Sequence, residues 1–592
     1  MSDVTEAIHY RLWPADPGAH RFRVLCTLAA PATEGQVVSL PDWIPGSYMI
    51  RDFARHVLWL RAHDAGSGQP VGVELLDKSA WRLAPAAGPV AIEYEVYAWD
   101  LSVRGAHLDD SHGFFNGTSV FLRVHGQEHA ACTVELCPPD TISGRGLDWR
   151  LATTLPGLAL DARGFGLYRA QGYEALIDHP VEMGDFQSVD FMAAGVSHRL
   201  VVTGRIDADL ARVAADLAPV CVAQVAMFGG RAPFSRYLFL VMAVGEGYGG
   251  LEHRDSTALI CRRDDLPAPG QGAPSPGYLE FLGLCSHEYF HAWNVKRIRP
   301  AAFAGLPLRS EAYSRLLWAF EGITSYYDDL MLLRAGRVDV PGYLHLLEKT
   351  LERALRGRGH ALQTLEDASF HTWTRYYKQD ENAPNAITSY YTRGALVALL
   401  LDWRLRVAGS SLDVLMRLLW SRHGEPDKPV SEGREIEGLA AELAGESLDA
   451  FFNAALRGIG ELPLAQGLAS VGLRLLWPET GAGMGVSVSS GALGEAVLRY
   501  VYDEGPAARA GLSAGDALIA VNGVRVDARG WEARLKRCRP GDALHLHVFR
   551  RDELREYQVT LVAQQAEQPV LEIDEQAPAE CHARRRAWLA GA

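Results

Sequence analysis

The 592-residue chain reads as a multidomain α+β protein. Three observations predict this. The length exceeds what one hydrophobic core supports and points to roughly three or four domains. Short apolar runs broken by Pro, Gly and Asp fill the first 200 or so residues, whereas helical spacing dominates from about 205 to 460. β-like runs then return. The expected division is a β-rich domain at 1–204, a mainly helical domain at 205–460, a small β module at 468–563 and a tail at 564–592.

In the first part, His20 to Leu28, Val90 to Ala98 and Ser119 to Val124 carry strand character between turn residues. Asp207 to Phe228 then spaces Leu, Val, Ala and Met at helical intervals. Arg236 to Val244 is an apolar, aromatic strand, followed by a glycine-rich turn at Gly245 to Gly250. Helices follow at Tyr278–Lys296, Tyr313–Arg334, Tyr343–Arg356, Ser389–Arg406, Leu412–Ser421, Glu435–Leu443 and Leu448–Leu456. Pro276 suits the start of the first of these. Gly458 to Gly467 reads as a linker. Strands are expected around Gly505-Pro506-Ala507 and Gly511 to Asp516. The last 29 residues are expected to be poorly ordered, with Arg584 to Arg586 in solvent.

Composition narrows the functional classes. Apolar residues make up 48% and charged residues 22%, with a net charge of −14, a balance opposed to nucleic-acid binding. No apolar run reads as a signal peptide or a span of about 20 residues, so no membrane partner is expected. Eight cysteines without framework spacing make a reducing, cytoplasmic setting the default. Cys285 reads as a small buried hydrophobe, off the face shared by the nearby histidines.

The densest chemical signal is His287-Glu288-Tyr289-Phe290-His291. On a helix, positions i and i+4 project together, so two imidazoles can reach one metal ion while the adjacent carboxylate takes a proton from activated water. A hydrolytic zinc site needs a third protein ligand. Glu321 lies in the apolar stretch Leu317 to Tyr327, where an ionised carboxylate is costly unless paired or bound to metal. Glu311 competes, but its polar neighbours Arg309 and Ser310 suggest a helix N-terminus and a capping role.

His287 to Arg297 together with Trp318 to Gly322 resembles the glycyl-aminopeptidase-like metallopeptidases that carry a PDZ domain, gluzincins related to the alanyl-type zinc aminopeptidases. Leu40 to Tyr48, Arg51 to Arg55, Asp77 to Trp81 and Ser102 to Ala106 resemble the family's first domain. Glu504 to Leu512 and Gly515 to Gly523 resemble a bacterial PDZ core. The resemblance implies a thermolysin-like helical catalytic domain, a C-terminal PDZ domain and one Zn2+ per chain held by His287, His291 and Glu321.

It further implies that Gly249-Gly250-Leu251-Glu252-His253 is the strand that lies along the substrate, with Glu252 holding the free α-amino group. Glycines permit close backbone approach, and a carboxylate pairs with an ammonium. His253 stands where the larger family has asparagine. In Tyr390-Tyr391-Thr392-Arg393-Gly394, Tyr391 aligns best with the oxyanion-stabilising tyrosine and Tyr390 is second.

The expected activity is therefore release of N-terminal residues, glycine or alanine, from peptides, with Glu288 as general base. Partners are a peptide with a free N-terminus and a peptide C-terminus at the PDZ domain, whose carboxylate would be cupped by Leu493-Gly494-Glu495 or Gly472-Leu473. Two other classes stay open: a zinc endopeptidase with PDZ-recruited substrates, and a non-catalytic PDZ scaffold. The oligomeric state is left open.

Overall fold

The computed structural model describes residues 6–139, 148–305, 308–425, 428–566 and 568–591. Residues 1–5 of the expected first domain, and 567 and 592 of the expected tail, lie outside these ranges. The chain forms two compact units. The first comprises Met1–Ala312, Ala335–Arg337 and Leu419–Val430, and the second comprises Tyr313–Arg334, Val338–Leu418 and Ser431–Ala592.

The first unit is built on β-sheets. An eight-stranded sheet has Ile8–Asp16, Arg21–Leu28 and Val90–Tyr97 as consecutive neighbours near its middle. Strand alternation explains its buried face: Phe22, Val24, Cys26 and Leu28 are all fully buried while Arg21 and Arg23 are not. A five-stranded sheet runs in the order Gln187–Ala193, Val196–Thr203, Arg236–Val244, Ser256–Arg262, Gly249–Glu252. Arg236–Val244 has the expected bounds and pairs in parallel with both neighbours. That explains its unbroken apolar run, since a central parallel strand is covered on both faces. Gly249–Glu252 pairs antiparallel with Ser256–Arg262, with Gly250 opposite Leu259 and Glu252 opposite Thr257. It is the terminal strand of the sheet.

Two helices pack beside this sheet. Leu210–Met227 is started by Asp209, whose side chain accepts from Arg212 N at 3.0 Å. By length and composition this helix could cross a membrane, contrary to the expectation that no segment would. Half of it is buried in the fold, and Gln224 Nε2 donates to Ser286 O at 2.8 Å. The helix Pro276–Phe290 has Ser275 as N-cap, accepting from Tyr278 N at 3.1 Å, and Pro276 at its first position. It stops at Phe290, short of the expected Lys296.

In the second unit the expected helix Tyr313–Arg334 is two pieces, Leu317–Phe320 and Gly322–Arg334, with Glu321 at the break. Thr392–Val407 packs against them through two glycines. A β-carbon on Gly322 would lie 2.6 Å from Gly394 Cα, and one on Gly394 would lie 2.9 Å from Gly322 Cα and from Trp318 O. The two backbones therefore touch directly. The later β domain is a sheet ordered Val486–Ser490, Ala496–Val501, Ala517–Val521, Ala543–Arg550, Glu553–Thr560. Its core includes Leu498, Leu518, Val521, Trp531, Leu546 and Val548.

Two expectations are corrected here. The segment read as a linker runs into a helix at Leu464–Ser470. The tail is ordered: Val570–Ile573 pairs with Leu473–Leu476, and Ala579–Ala590 is a helix. Trp588 is fully buried and its Nε1 donates to Tyr326 Oη at 2.9 Å. Arg585 donates to Gly472 O at 2.7 Å and Arg584 to Ser470 O. The basic run was read as solvated because charge dominates its composition. The guanidinium groups of Arg584 and Arg585 instead satisfy backbone carbonyls, while Arg586 is exposed as expected, and the tryptophan supplies the apolar anchor.

Candidate active site

In the first unit the histidine motif ends its helix. His287 Nε2 and His291 Nε2 are 3.1 Å apart, with ring centroids separated by 4.7 Å at 86°. His291 Nδ1 lies 2.8 Å from Asn294 O. A carbonyl only accepts, so Nδ1 carries the hydrogen and Nε2 presents its lone pair toward His287. This tautomer-setting contact is typical of metal-ligating histidines. It depends on the helix stopping where it does. Lys296 N donates to His291 O at 3.1 Å and Val295 N to Ile298 O at 2.9 Å, and Val295 is held at φ 111°. Such a conformation costs a β-branched residue about 1–3 kcal/mol, which the turn sustains in order to aim Asn294 O.

Glu288 is buried beside the terminal sheet strand. A β-carbon on Gly250 would fall on the Glu288 carboxyl group and lie 2.6 Å from its Cγ, so only glycine admits this glutamate. Glu252 is 4% exposed, and among the described residues its Oε1 has no hydrogen-bond partner. Glu252, Glu288 and His291 each offer a ligand-type atom, all within 4.8 Å of one another. Two carboxylates and an imidazole gathered in a buried place form a site suited to a cation, whether a metal ion or an ammonium group.

Two residues within the resembling motifs acquire a role that the sequence did not signal. Gly46, at φ 95°, lets Glu252 lie against its backbone, since a β-carbon there would be 2.7 Å from Glu252 Cδ and Oε1. Arg104 Nη2 donates to Gly250 O at 3.4 Å. His253 is buried, with Nδ1 3.3 Å from Asp178 Oδ1. It anchors the strand's end from behind, and Lys296 Nζ meets the same Asp178 oxygen at 2.6 Å. Burial alone would raise the Asp178 pKa, but Lys296, His253 and Arg254 outweigh it and hold the carboxyl well below its usual range. Cys285 is buried, as expected, and burial raises its thiol pKa.

In the second unit Glu321 is 2% exposed, between Phe320 and Gly322. Glu311 caps no helix: it lies in a loop, six residues before the Leu317–Phe320 helix. Tyr390 is fully buried, and its hydroxyl is engaged with Thr372 Oγ1 at 2.7 Å. Burial first, then the charges of Tyr377 and Glu321, raises the Tyr390 pKa far above its ordinary value. Tyr391 is half-buried, its hydroxyl 3.5 Å from that of Tyr377. Of the two carboxylate-loop candidates, Gly472-Leu473 is outside the PDZ-like sheet, because Leu473 pairs with Ile573. Leu493-Gly494-Glu495 is the exposed tip of a hairpin. Gly485, at φ 73°, instead leads into Val486–Ser490, the terminal strand of that sheet.

Residues 9–185 match the model of the Peptidase M61 N-terminal domain, 280–397 that of M61 glycyl aminopeptidase, and 482–561 that of a PDZ domain. A solved structure of an aminopeptidase N family protein from Idiomarina loihiensis is similar over 98% of this chain and 100% of that one, with 38% identity and a TM-score of 0.93. An M1 zinc metallopeptidase from Deinococcus radiodurans is more distant: 14% identity, TM-score 0.49, covering 78% and 95%. A 99-residue stretch is 32% identical to a probable periplasmic serine endoprotease DegP-like of Brucella suis. That stretch is 17% of this chain and 18% of the length of that protein.

Proposed function

Since the chain belongs to the M61 glycyl aminopeptidase family and is a metallo-aminopeptidase, we propose that it releases glycine or alanine from peptide N-termini in a zinc-dependent hydrolysis. The observation that carries this reading is the convergence of the His287 and His291 Nε2 atoms beside a buried glutamate that rests on a glycine strand.

The donor chemistry fits zinc: two imidazoles, one with its tautomer fixed by Asn294, and, by the resemblance of the Trp318 to Gly322 segment, the carboxylate of Glu321 as third ligand. Glu321 is buried within an apolar stretch, the setting expected of a carboxylate that serves as a metal ligand. Bound there, zinc supplies a Lewis acid that activates water and polarises the scissile carbonyl. Glu288 accepts the proton of the attacking water and returns it to the leaving amine. Tyr391, half-buried where Tyr390 is fully buried, donates a hydrogen bond to the developing oxyanion. Glu252 pairs with the substrate's α-ammonium group, which satisfies its Oε1. The strand Gly249–Glu252, with one edge not covered by another strand of its sheet, pairs with the extended peptide backbone. The PDZ domain binds a peptide C-terminus, its carboxylate meeting the backbone N–H groups around Met484-Gly485-Val486 at the head of the terminal strand.

The test is terminal-residue release from a peptide set, with and without chelator and with free or acetylated N-termini. Loss of activity on chelation and on acetylation is expected. Undiminished cleavage of acetylated peptides would favour an endopeptidase.

A further inference from the structure

A second cluster of chelating side chains lies in the first unit, on a different sheet from the strand that meets the motif helix. It sits on the sheet ordered Arg150–Ala152, Val181–Gly184, His112–Phe115, Ala106–Leu108. Phe114 is opposite His107 on one side and Glu182 on the other. His112 is two residues before Phe114, so strand alternation puts His107, His112 and Glu182 on the same face, with His112 diagonal to both of the others. Asp109, two residues after His107, joins them at the hairpin turn.

The four side chains are arranged as ligands and support. His107, Asp109 and His112 each offer a ligand atom, all within 4.8 Å of one another, and the two imidazole centroids are 4.9 Å apart. Asp109 Oδ1 is occupied by the turn, accepting from Ser111 N at 2.7 Å, Ser111 Oγ at 2.6 Å and His112 N at 3.0 Å. Its Oδ2 lies 3.2 Å from His107 Nε2. His112 Nδ1 is 3.1 Å from Glu182 Oε1. A carboxylate accepts, so Nδ1 carries the hydrogen; in the neutral ring Nε2 then holds the lone pair, the arrangement in which an outer carboxylate steadies a metal-bound histidine. His107 is 3% exposed, and among the described residues its Nδ1 has no hydrogen-bond partner.

The simpler alternative is a pair of ion pairs, His107 with Asp109 and His112 with Glu182. It places two imidazolium ions 4.9 Å apart in a buried site, where like charges disfavour each other. With neutral imidazoles His107 keeps an unsatisfied buried nitrogen. One divalent cation shared by neutral imidazoles would remove the imidazolium charges from this site.

We propose that His107, Asp109 and His112 bind a second divalent metal ion, with Glu182 orienting His112. Two imidazoles and a carboxylate suit zinc, cobalt(II) or nickel(II) better than magnesium or calcium, which prefer all-oxygen sites. The ion would clip the hairpin turn together. The segment just before that hairpin holds Arg104 against Gly250 O.

The test is metal content per chain, by elemental analysis of the full-length protein loaded with zinc and then dialysed. It is run on wild type and on the His107→Ala, His112→Asn and His287→Ala variants, with circular dichroism to confirm folding. Two ions in wild type and one in each variant are expected, and the His107 and His112 variants should still release N-terminal residues. Cobalt(II) loading of His287→Ala should give visible d–d absorption that disappears when His107→Ala is added. One ion in wild type that is lost with His287→Ala and kept with His107→Ala would overturn the second site while leaving the active-site reading intact. If His107→Ala does not fold, His112→Asn and Asp109→Asn decide: wild-type metal content in both would equally overturn it.

Discussion

Gly250 and Glu288 are in direct contact, the α-carbon of one lying where the carboxyl group of the other leaves no room for a methyl group. The strand that would carry the substrate thus sets the position of the proposed general base. Gly250→Ala must displace either the strand or the glutamate. A misplacement of about 1 Å can cost around 100-fold in rate, so kcat/KM should fall by about that factor while bound zinc, read by elemental analysis, is unchanged.

Glu288→Gln keeps the size and burial of the side chain but removes its basicity. General-base contributions run to about 10²–10⁴-fold. We expect kcat to drop within that range with metal content and melting temperature near those of wild type. An active Glu288→Gln enzyme would overturn the assignment.

Glu252→Gln removes the negative charge that would meet the substrate's ammonium. A charge-assisted hydrogen bond is worth about 1.5–3 kcal/mol, which corresponds to a rise in KM of roughly 10- to 150-fold for free peptides. Discrimination against acetylated peptides should shrink in parallel. Steady-state kinetics on matched free and acetylated substrates read both effects.

Asp178 supports the strand's end through His253, Arg254 and Lys296. Its pKa is lower folded than unfolded, despite burial, because Lys296, the hydrogen bond from His253 and Arg254 together outweigh desolvation. Its contribution to stability is therefore fully present above the unfolded value near 3.9 and is lost as pH falls through the folded value. Asp178→Asn breaks a buried ion pair and should cost about 3 kcal/mol at pH 7. The gap from wild type should narrow below about pH 4, as measured by denaturant midpoints at both pH values.

Gly394→Ala tests the contact between the Gly322–Arg334 and Thr392–Val407 helices. Alanine gains about 1 kcal/mol of helix propensity, but its methyl group meets the Gly322 and Trp318 backbone at 2.9 Å. Backbone cannot rotate away, and overpacking costs about 1–3 kcal/mol. A net loss of stability is expected in thermal melts.

Most of the helical architecture was legible because its determinants are local. Pro276, the apolar spacing of Asp207 to Phe228 and the unbroken run Arg236 to Val244 each specify an element with little help from elsewhere. The histidine motif was legible for the same reason, since i,i+4 geometry is fixed by the helix alone. What could not be read were long-range contacts. Gly46 against Glu252 and Arg104 on Gly250 O join segments far apart in sequence. No periodicity carries such information. The helix end at Phe290 was missed because Val295 adopts a backbone conformation that its side chain disfavours. The break at Glu321 was missed because an apolar surround reads as uninterrupted helix. The C-terminal helix was missed because Trp588 needs Tyr326 to make sense of its burial.

That last contact has a bearing on biosynthesis. Trp588 seals the face of a helical layer whose other members leave the ribosome long before it does. Because domains tend to fold in order of emergence, the layer around Tyr326 would wait with an open apolar surface until translation reaches the segment Ala579–Ala590. For that interval the apolar surface would be open to aggregation, and removal of the Ala579–Ala590 helix would leave it uncovered.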